Sequence, residues 1–325
     1  MNKRWSIKEV PAEADVNRLA VELSIDTTLS ALLLQRGVST FEEARYFFRP
    51  DIRHLHDPFL MEGMEQAIDR IERAMINKEK LLIYGDYDVD GTTAVAVVYS
   101  FFKQFHSNIE YYIPDRYKEG YGISQQGIDY AAENNFTLII ALDCGIKSVD
   151  KIAYASSLGV DFVICDHHTP GAELPDAVAV LDPKRADCNY PYKELSGCGI
   201  GFKLIQAFAE KNDMDFEKVA RYADLVAVSI ACDIVPITGE NRTLAWFGLQ
   251  KLNSEPCIGL KILMGVAGKS ISYTISDIVF LLGPRINAAG RIDDAKHAVE
   301  LLVACNEADA QLKGCLLYTS PSPRD

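Results

Sequence analysis

Three apolar runs in this chain each end in acidic residues. Leu81-Leu82-Ile83-Tyr84 leads into Gly85-Asp86-Tyr87-Asp88-Val89-Asp90-Gly91, residues 138–142 lead into Asp143-Cys144-Gly145, and residues 162–165 lead into Asp166-His167-His168. If these runs are neighbouring strands, up to five carboxylates and two imidazoles meet at one edge. Carboxylates crowded together penalise one another's ionised form unless cations intervene. No nearby run of Lys or Arg supplies them, so divalent metal is the economical partner. The donors are hard oxygens plus one or two imidazoles, without a thiolate pair, a set that suits Mn²⁺ or Mg²⁺ better than structural zinc. A carboxylate such as Asp143 bridging two ions would give the arrangement used to attack phosphoesters. A lone Asp at a strand end is more often a helix cap or turn former. Three such ends together with Asp-His-His weigh against coincidence. Asp-x-Asp-x-Asp-Gly also opens an EF-hand loop, but that loop needs Glu six residues after its glycine, where Val97 stands.

The elements that must position these residues follow from hydrophobic periodicity. Residues 1–78 read as helical and polar, with periodic apolar positions over 16–34, 41–48 and 64–76. From Lys80 the pattern changes to short apolar runs separated by segments of helical length. Residues 109–113 and 177–181 complete the strand series, and helices are expected over 125–134 and 149–158. Residues 92–105 are Val-rich, yet their length and the preceding Gly and Thr favour a buried helix. Strands apolar on both faces, alternating with helices, predict an α/β fold with a parallel, doubly wound sheet. In such a sheet ligands bind beyond the carboxyl ends of the strands, where the acids stand. After Gly197 the pattern is helical over 202–210, 216–231, 242–252 and 295–305.

The expected organisation is an N-terminal helical segment packed on the core (1–78), a catalytic α/β domain (79–240) and a helical part leading to a connecting helix (241–314). The last stretch, Cys315-Leu316-Leu317-Tyr318-Thr319-Ser320-Pro321-Ser322-Pro323-Arg324-Asp325, breaks composition in mid-helix. It reads as a non-native tail (315–325), with the native chain expected to continue past Gly314.

Composition bounds the class. Hydrophobic residues make up 48% and charged residues 24% of the 325, enough for a sizeable core. No apolar run reaches the roughly 18–20 residues of a membrane span, and Met-Asn-Lys-Arg-Trp lacks the apolar stretch of a secretory signal. Eight cysteines are scattered without a Cys-x-x-Cys pair, which fits reduced thiols and a cytoplasmic location. The net charge of −13 counts against nucleic acid unless bound cations reverse the local field.

The motifs resemble a known family. Residues 85–91, Asp143 in Leu-Asp-Cys-Gly, and Asp166-His167-His168 are similar to the first three motifs of the DHH phosphoesterases, and Cys232-Asp233-Ile234-Val235-Pro236 to the fourth. The resemblance implies that Asp88 and Asp90 each hold one of two Mn²⁺ or Mg²⁺ ions, that Asp143 bridges them, and that His167 and Asp233 complete the second site. It implies His168 beside the scissile phosphate and Asp86 behind or sharing the first site. Asp224 is a rival for the fourth motif, although Asp-Ile-Val-Pro fits better.

Further stretches resemble the RecJ-type single-strand-specific 5′→3′ DNA exonucleases: Arg36-Gly37 with Phe41-Glu42-Glu43-Ala44; His56-Asp57-Pro58-Phe59; Ile113-Pro114-Asp115-Arg116 with Glu119-Gly120-Tyr121-Gly122; and Gly283-Pro284-Arg285-Ile286-Asn287-Ala288-Ala289-Gly290-Arg291. This implies single-stranded DNA as substrate, with a single-strand-binding protein and a helicase as partners. It also implies a second domain with a Gly-rich, His-containing motif and an OB-fold. Neither is recognisable here, so the present chain is expected to bind Mn²⁺ but degrade DNA poorly.

Arg116, Arg285 and Arg291 are the expected contacts to DNA phosphate, because the planar guanidinium matches phosphate oxygens and a pocket for the terminal phosphate would explain attack from the 5′ end. Gly197-Cys198-Gly199-Ile200-Gly201 opens a helix whose amides could face phosphate, against the plainer reading of a tight turn. Of Tyr111, Tyr112, Tyr117 and Tyr121, one could stack on a base. Two other functions remain open: a DHH phosphoesterase for pyrophosphate, short oligonucleotides or cyclic dinucleotides, and a non-catalytic scaffold.

Overall fold

The computed structural model describes residues 6–269, 271–292 and 295–319, with the backbone alone at 289–292 and 315–319. It divides into two compact units, residues 1–55 and 56–325.

The first unit packs helices Glu13–Leu23, Thr27–Leu34 and Phe41–Phe48 around Leu19, Leu33, Val38 and Ala44. The periodicity over 16–34 suggests one helix, but the structure has two. Ser24 adopts a left-handed conformation that closes the first helix, and the Asp26 side chain accepts the Thr28 amide at 2.7 Å to start the second. The left-handed turn at Ser24 and the side-chain cap of Asp26 end a helix that apolar spacing alone would continue.

The second unit holds a wholly parallel five-stranded sheet: β1 (Lys80–Gly85), β2 (Ile109–Tyr112), β3 (Phe136–Leu142), β4 (Asp161–Cys165) and β5 (Ala179–Leu181), in the order β2-β1-β3-β4-β5. All five expected strands form, and the three that end in acids are adjacent. Helices Gln125–Glu133 and Val149–Ser157 cover the face carrying Leu82, Tyr84, Ile139, Ala141, Phe162 and Ile164. On the other face lie helix Val89–Phe102, buried along nearly its whole length, and helix Gly197–Lys211. The sheet is therefore doubly wound, as its two-sided apolar strands demand. Helix Met64–Ile76, read from sequence as part of the preface, belongs to this unit and packs on β5 and helix Gly197–Lys211.

The C-terminal part is more broken than its pattern suggests. Residues 216–231 form two helices, Glu217–Ala220 and Ala223–Cys232. Helix Ile258–Ala267, a π-helical turn at Ile278–Leu282 and helix Gly283–Ile292 have no counterpart in the sequence reading. A buried ion pair fixes this unit internally: Lys203 Nζ lies 3.2 Å from Glu240 Oε1, both side chains fully buried. The Tyr190 hydroxyl and the His56 amide donate to the same Glu240 carboxylate at 2.7 and 2.9 Å, satisfying the charge that burial would otherwise penalise. No helix among the described residues is long and apolar enough to cross a membrane.

Candidate metal centre

Three strand ends and one helix end build the site. After β1, the chain turns so tightly that a Cβ on Gly91 would lie 2.4 Å from the Asp86 carbonyl oxygen, so the glycine closing Asp-x-Asp-x-Asp-Gly is sterically required. Asp88 caps helix Val89–Phe102 by accepting the Gly91 amide at 3.0 Å. After β3, Asp143 sits at φ 59, a left-handed conformation that costs energy in a residue with a side chain. Its amide still donates to the Cys165 carbonyl at 2.8 Å, which holds the bend in place.

After β4, Asp166 organises both histidines. Its Oδ1 accepts the His167 amide at 2.8 Å, the His168 amide at 3.1 Å and His168 Nδ1 at 2.7 Å, while Oδ2 accepts the Ile146 amide at 2.9 Å. In the neutral ring, holding Nδ1–H in this way leaves His168 Nε2 as an acceptor, and the Tyr121 hydroxyl lies 3.0 Å from it.

These bends bring Asp90, Asp143 and Asp233 around one imidazole. His167 Nε2 lies 3.2 Å from Asp143 Oδ1, 3.6 Å from Asp233 Oδ2 and 3.7 Å from Asp90 Oδ2. Two triplets, Asp90–His167–Asp233 and Asp143–His167–His168, each have ligand atoms within 4.8 Å of one another. Ligands about 2.1 Å from a small divalent ion stand about 3.0 Å apart in octahedral and about 3.4 Å in tetrahedral geometry, so the 3.2 Å spacing lies within that range and the 3.6 and 3.7 Å spacings are a few tenths of an ångström wider. Unsatisfied atoms point the same way. Asp143 Oδ1, both ring nitrogens of His167 and both oxygens of Asp86 are buried without a hydrogen bond of ordinary geometry among the described residues. Buried polar atoms are nearly always paired, and oxygen and imidazole donors left open together are what a hard or borderline cation requires.

The electrostatics express the same need. Burial, then the neighbouring Asp88, pushes Asp86 up to about 7. Burial, then Asp90 and Asp88, pushes Asp233 up to about 7. Burial and the charges of Asp90 and Asp88 raise Asp143 well above the carboxylate range, and burial and Asp90 raise Asp88. Burial holds His167 below the ordinary imidazole value. His168 is raised by its hydrogen bond to Asp166; burial opposes ionisation of Asp166, but the hydrogen bonds and charge of His168 together with the Ile146 amide outweigh it and keep that carboxyl below its usual range. A positive ion would reverse the penalty on every crowded carboxylate.

The remaining sequence candidates fall as follows. Asp86 and Asp88 stand beside the cluster but belong to neither triplet, and the residue common to both triplets is His167. Asp224 does other work: it accepts the Cys257 amide at 2.7 Å, pinning the segment before helix Ile258–Ala267. The amides of Gly197 and Cys198 donate to Asp90 at 2.7 and 2.8 Å, so they are committed to a carboxylate of the chain itself and are not open to phosphate.

Arg116 is exposed and stacks over Tyr87, 5.0 Å from the ring centre. Tyr87 meets Tyr121 edge-on at 6.2 Å, and Tyr121 meets His168 at 6.0 Å, so ring contacts link Arg116 to the site. Arg285 donates Nη1 to the Leu281 carbonyl at 2.6 Å. The Arg291 side chain lies outside the described residues. Asp182, fully buried at the end of β5 and raised to about 7 by burial, was missed from sequence although the signal of an apolar run ending in Asp was present. Ser196 and Ser229 were missed as well, and they carry no sequence signal of their own.

Residues 80–230 match the model described as DHH family, N-terminal domain, so the chain contains a DHH domain. It is similar to the single-stranded-DNA-specific exonuclease RecJ of Bacillus subtilis (strain 168), 40% identical over 309 residues, which cover 95% of this chain and 38% of that protein. The Escherichia coli (strain K12) RecJ is 35% identical over 264 residues, covering 78% of this chain and 46% of the relative. This chain thus spans less than half the length of either relative. Among solved structures, exonuclease RecJ bound to manganese superposes with a TM-score of 0.74 at 29% identity, covering 82% of this chain and 66% of that one. RecJ in complex with Mn²⁺ from Thermus thermophilus superposes with a TM-score of 0.81 at 26% identity, covering 97% of this chain and 45% of that one.

Proposed function

We propose that this chain carries the metal-dependent hydrolytic centre of a cytoplasmic exonuclease that cleaves phosphodiester bonds of single-stranded DNA from the 5′ end, in DNA repair or recombination. The observation that carries the proposal is the convergence of Asp90, Asp143 and Asp233, each from a different element, within 3.2–3.7 Å of His167 Nε2. Relatives named as single-stranded-DNA-specific exonucleases and solved relatives holding Mn²⁺ support it.

In this reading Asp90, Asp143, His167 and Asp233 hold two divalent ions, Mn²⁺ or Mg²⁺, with Asp88 beside them. Bound ions supply a lowered water pKa and positive charge for the phosphate. His168 presents Nε2 to the scissile group, its ring fixed through Nδ1 by Asp166. Asp86, buried behind Asp88, sets the charge of the cluster. Arg116, Arg285 and Arg291 contact DNA phosphates, Arg116 reaching out from its stack on Tyr87. Residues 79–240 carry the catalytic residues, and the helices after 240 pack in the same compact unit. A single-strand-binding protein and a helicase would deliver the substrate.

The test is a side-by-side digest with Mn²⁺ or Mg²⁺ of 5′-phosphorylated single strands, duplex DNA, a dinucleotide and pyrophosphate. Slow, metal-dependent release of nucleotides from the 5′ end of the single strand alone is expected of this chain. Turnover of pyrophosphate or dinucleotide with the long strand left intact would overturn the substrate assignment.

A further inference from the structure

The carboxylate of Asp90 is held more completely than a free metal ligand would be. Its Oδ1 accepts two hydrogen bonds, from the Cys198 amide at 2.8 Å and the Ser229 hydroxyl at 2.6 Å. Its Oδ2 accepts one, from the Gly197 amide at 2.7 Å. A carboxylate oxygen offers two lone-pair positions, so Oδ1 is saturated and Oδ2 keeps one position open. Oδ2 is also the oxygen that stands 3.7 Å from His167 Nε2, on the side of the cluster.

The Ser229 hydroxyl has one proton, and a carboxylate can only accept, so that proton belongs to Asp90. The 2.7 Å contact between Ser229 Oγ and Ser196 Oγ is then made by the Ser196 proton. Ser196 in turn accepts the Gly199 amide at 3.1 Å as the cap of helix Gly197–Lys211. Both serines are fully buried. Ser229 lies on helix Ala223–Cys232, four residues before Asp233 at that helix's end.

We propose that Ser229, backed by Ser196 and the first amides of helix Gly197–Lys211, is a positioning residue that turns Oδ2 of Asp90 toward a bound divalent cation and ties it to the helix that delivers Asp233. The inference rests on the metal-centre reading above. It gives the Gly-Cys-Gly-Ile-Gly stretch its place: helix amides and helix dipole oriented on a carboxylate of the protein. Partners behind a ligand typically change metal affinity 10- to 100-fold when removed.

The experiment is calorimetric titration of Mn²⁺ into the metal-stripped full chain, comparing wild type with Ser229→Ala and Asp224→Asn. Asp224→Asn perturbs the same helix at its far end, through the Cys257 amide. Ser229→Ala is expected to weaken Mn²⁺ binding at least about 10-fold, while Asp224→Asn lowers the melting temperature and leaves Mn²⁺ affinity as in wild type. If Ser229→Ala fails to give the wild-type circular-dichroism spectrum, Ser229→Cys, which keeps the volume and weakens the donor, takes its place with the same expectation. Wild-type Mn²⁺ affinity in a folded Ser229 variant would overturn the positioning role alone. Absence of Mn²⁺ binding by wild type would overturn the metal-centre reading and this inference with it.

Discussion

Replacing Gly197 with alanine tests how tightly the centre is packed. A Cβ built at this position would lie 2.6 Å from both Cβ and Oδ1 of Asp143, and 2.8 Å from its Cγ. Ordinary contact starts near 3.4 Å, so something must yield by about 0.8 Å (3.4 − 2.6). The Gly197 backbone is not in the left-handed region, so the alanine itself is tolerated and the strain falls on its neighbours. Two movements relieve it. Either Asp143 swings away from His167 Nε2, now 3.2 Å distant, or the helix start retreats and breaks its 2.7 Å amide bond to Asp90. Both displace a carboxylate of the centre. Overpacking of this kind costs about 1–3 kcal/mol, which for a domain of this size lowers Tm by roughly 2–10 °C. A misplacement approaching 1 Å costs on the order of 100-fold in activity. Thermal unfolding in EDTA reads the first effect, and Mn²⁺ titration with single-strand digestion reads the second. A Gly197→Ala chain that binds Mn²⁺ as tightly as wild type would refute the claim that Asp143 is locked by this contact.

Other perturbations separate fold from site. Lys203→Met leaves Glu240 buried without its ion-pair partner and should destabilise by about 3–5 kcal/mol, with Mn²⁺ affinity intact; urea unfolding beside a Mn²⁺ titration checks both. In the metal-free chain Asp86 and Asp233 titrate near 7 against 3.8 for an ordinary carboxyl. A carboxyl raised in the fold contributes stability that is full below about pH 4 and lost as pH rises through about 7. The EDTA-treated chain should therefore melt lower at pH 8 than at pH 5, while Mn²⁺ at about 100 times its Kd restores about 2.7 kcal/mol at pH 8; equal melting temperatures at the two pH values would contradict the crowded-carboxylate picture. Arg116→Ala should reduce the preference for a 5′-phosphorylated end and leave Mn²⁺ affinity unchanged, as measured by competing phosphorylated and unphosphorylated strands.

The candidate site was legible because an apolar pattern and a placement of acids coincide in it. Apolar runs of strand length locate β1, β3 and β4, and acids at their ends mark the ligand edge of a parallel sheet, so Asp90, Asp143 and His167 could be placed together from the sequence alone. Asp233 needed the family resemblance, since it ends a helix and its near neighbour Asp224 looks equally acidic in sequence.

What escaped the sequence is long-range. Nothing local ties Ser229 to Asp90, 139 residues apart. The Gly-Cys-Gly-Ile-Gly stretch announces amides near an anion without saying that the anion is Asp90. The breaks at Ser24 and at Arg221–Tyr222 also defeat periodicity, because apolar spacing continues through residues whose backbone turns away.

The most direct test of the central claim is a Mn²⁺ titration of the metal-stripped chain, followed by calorimetry, beside the variant Asp143→Asn. The account predicts two bound ions per wild-type chain, and loss of tight binding when the Asp143 charge is removed at constant volume. No Mn²⁺ binding by wild type, or undiminished binding by Asp143→Asn, would contradict it.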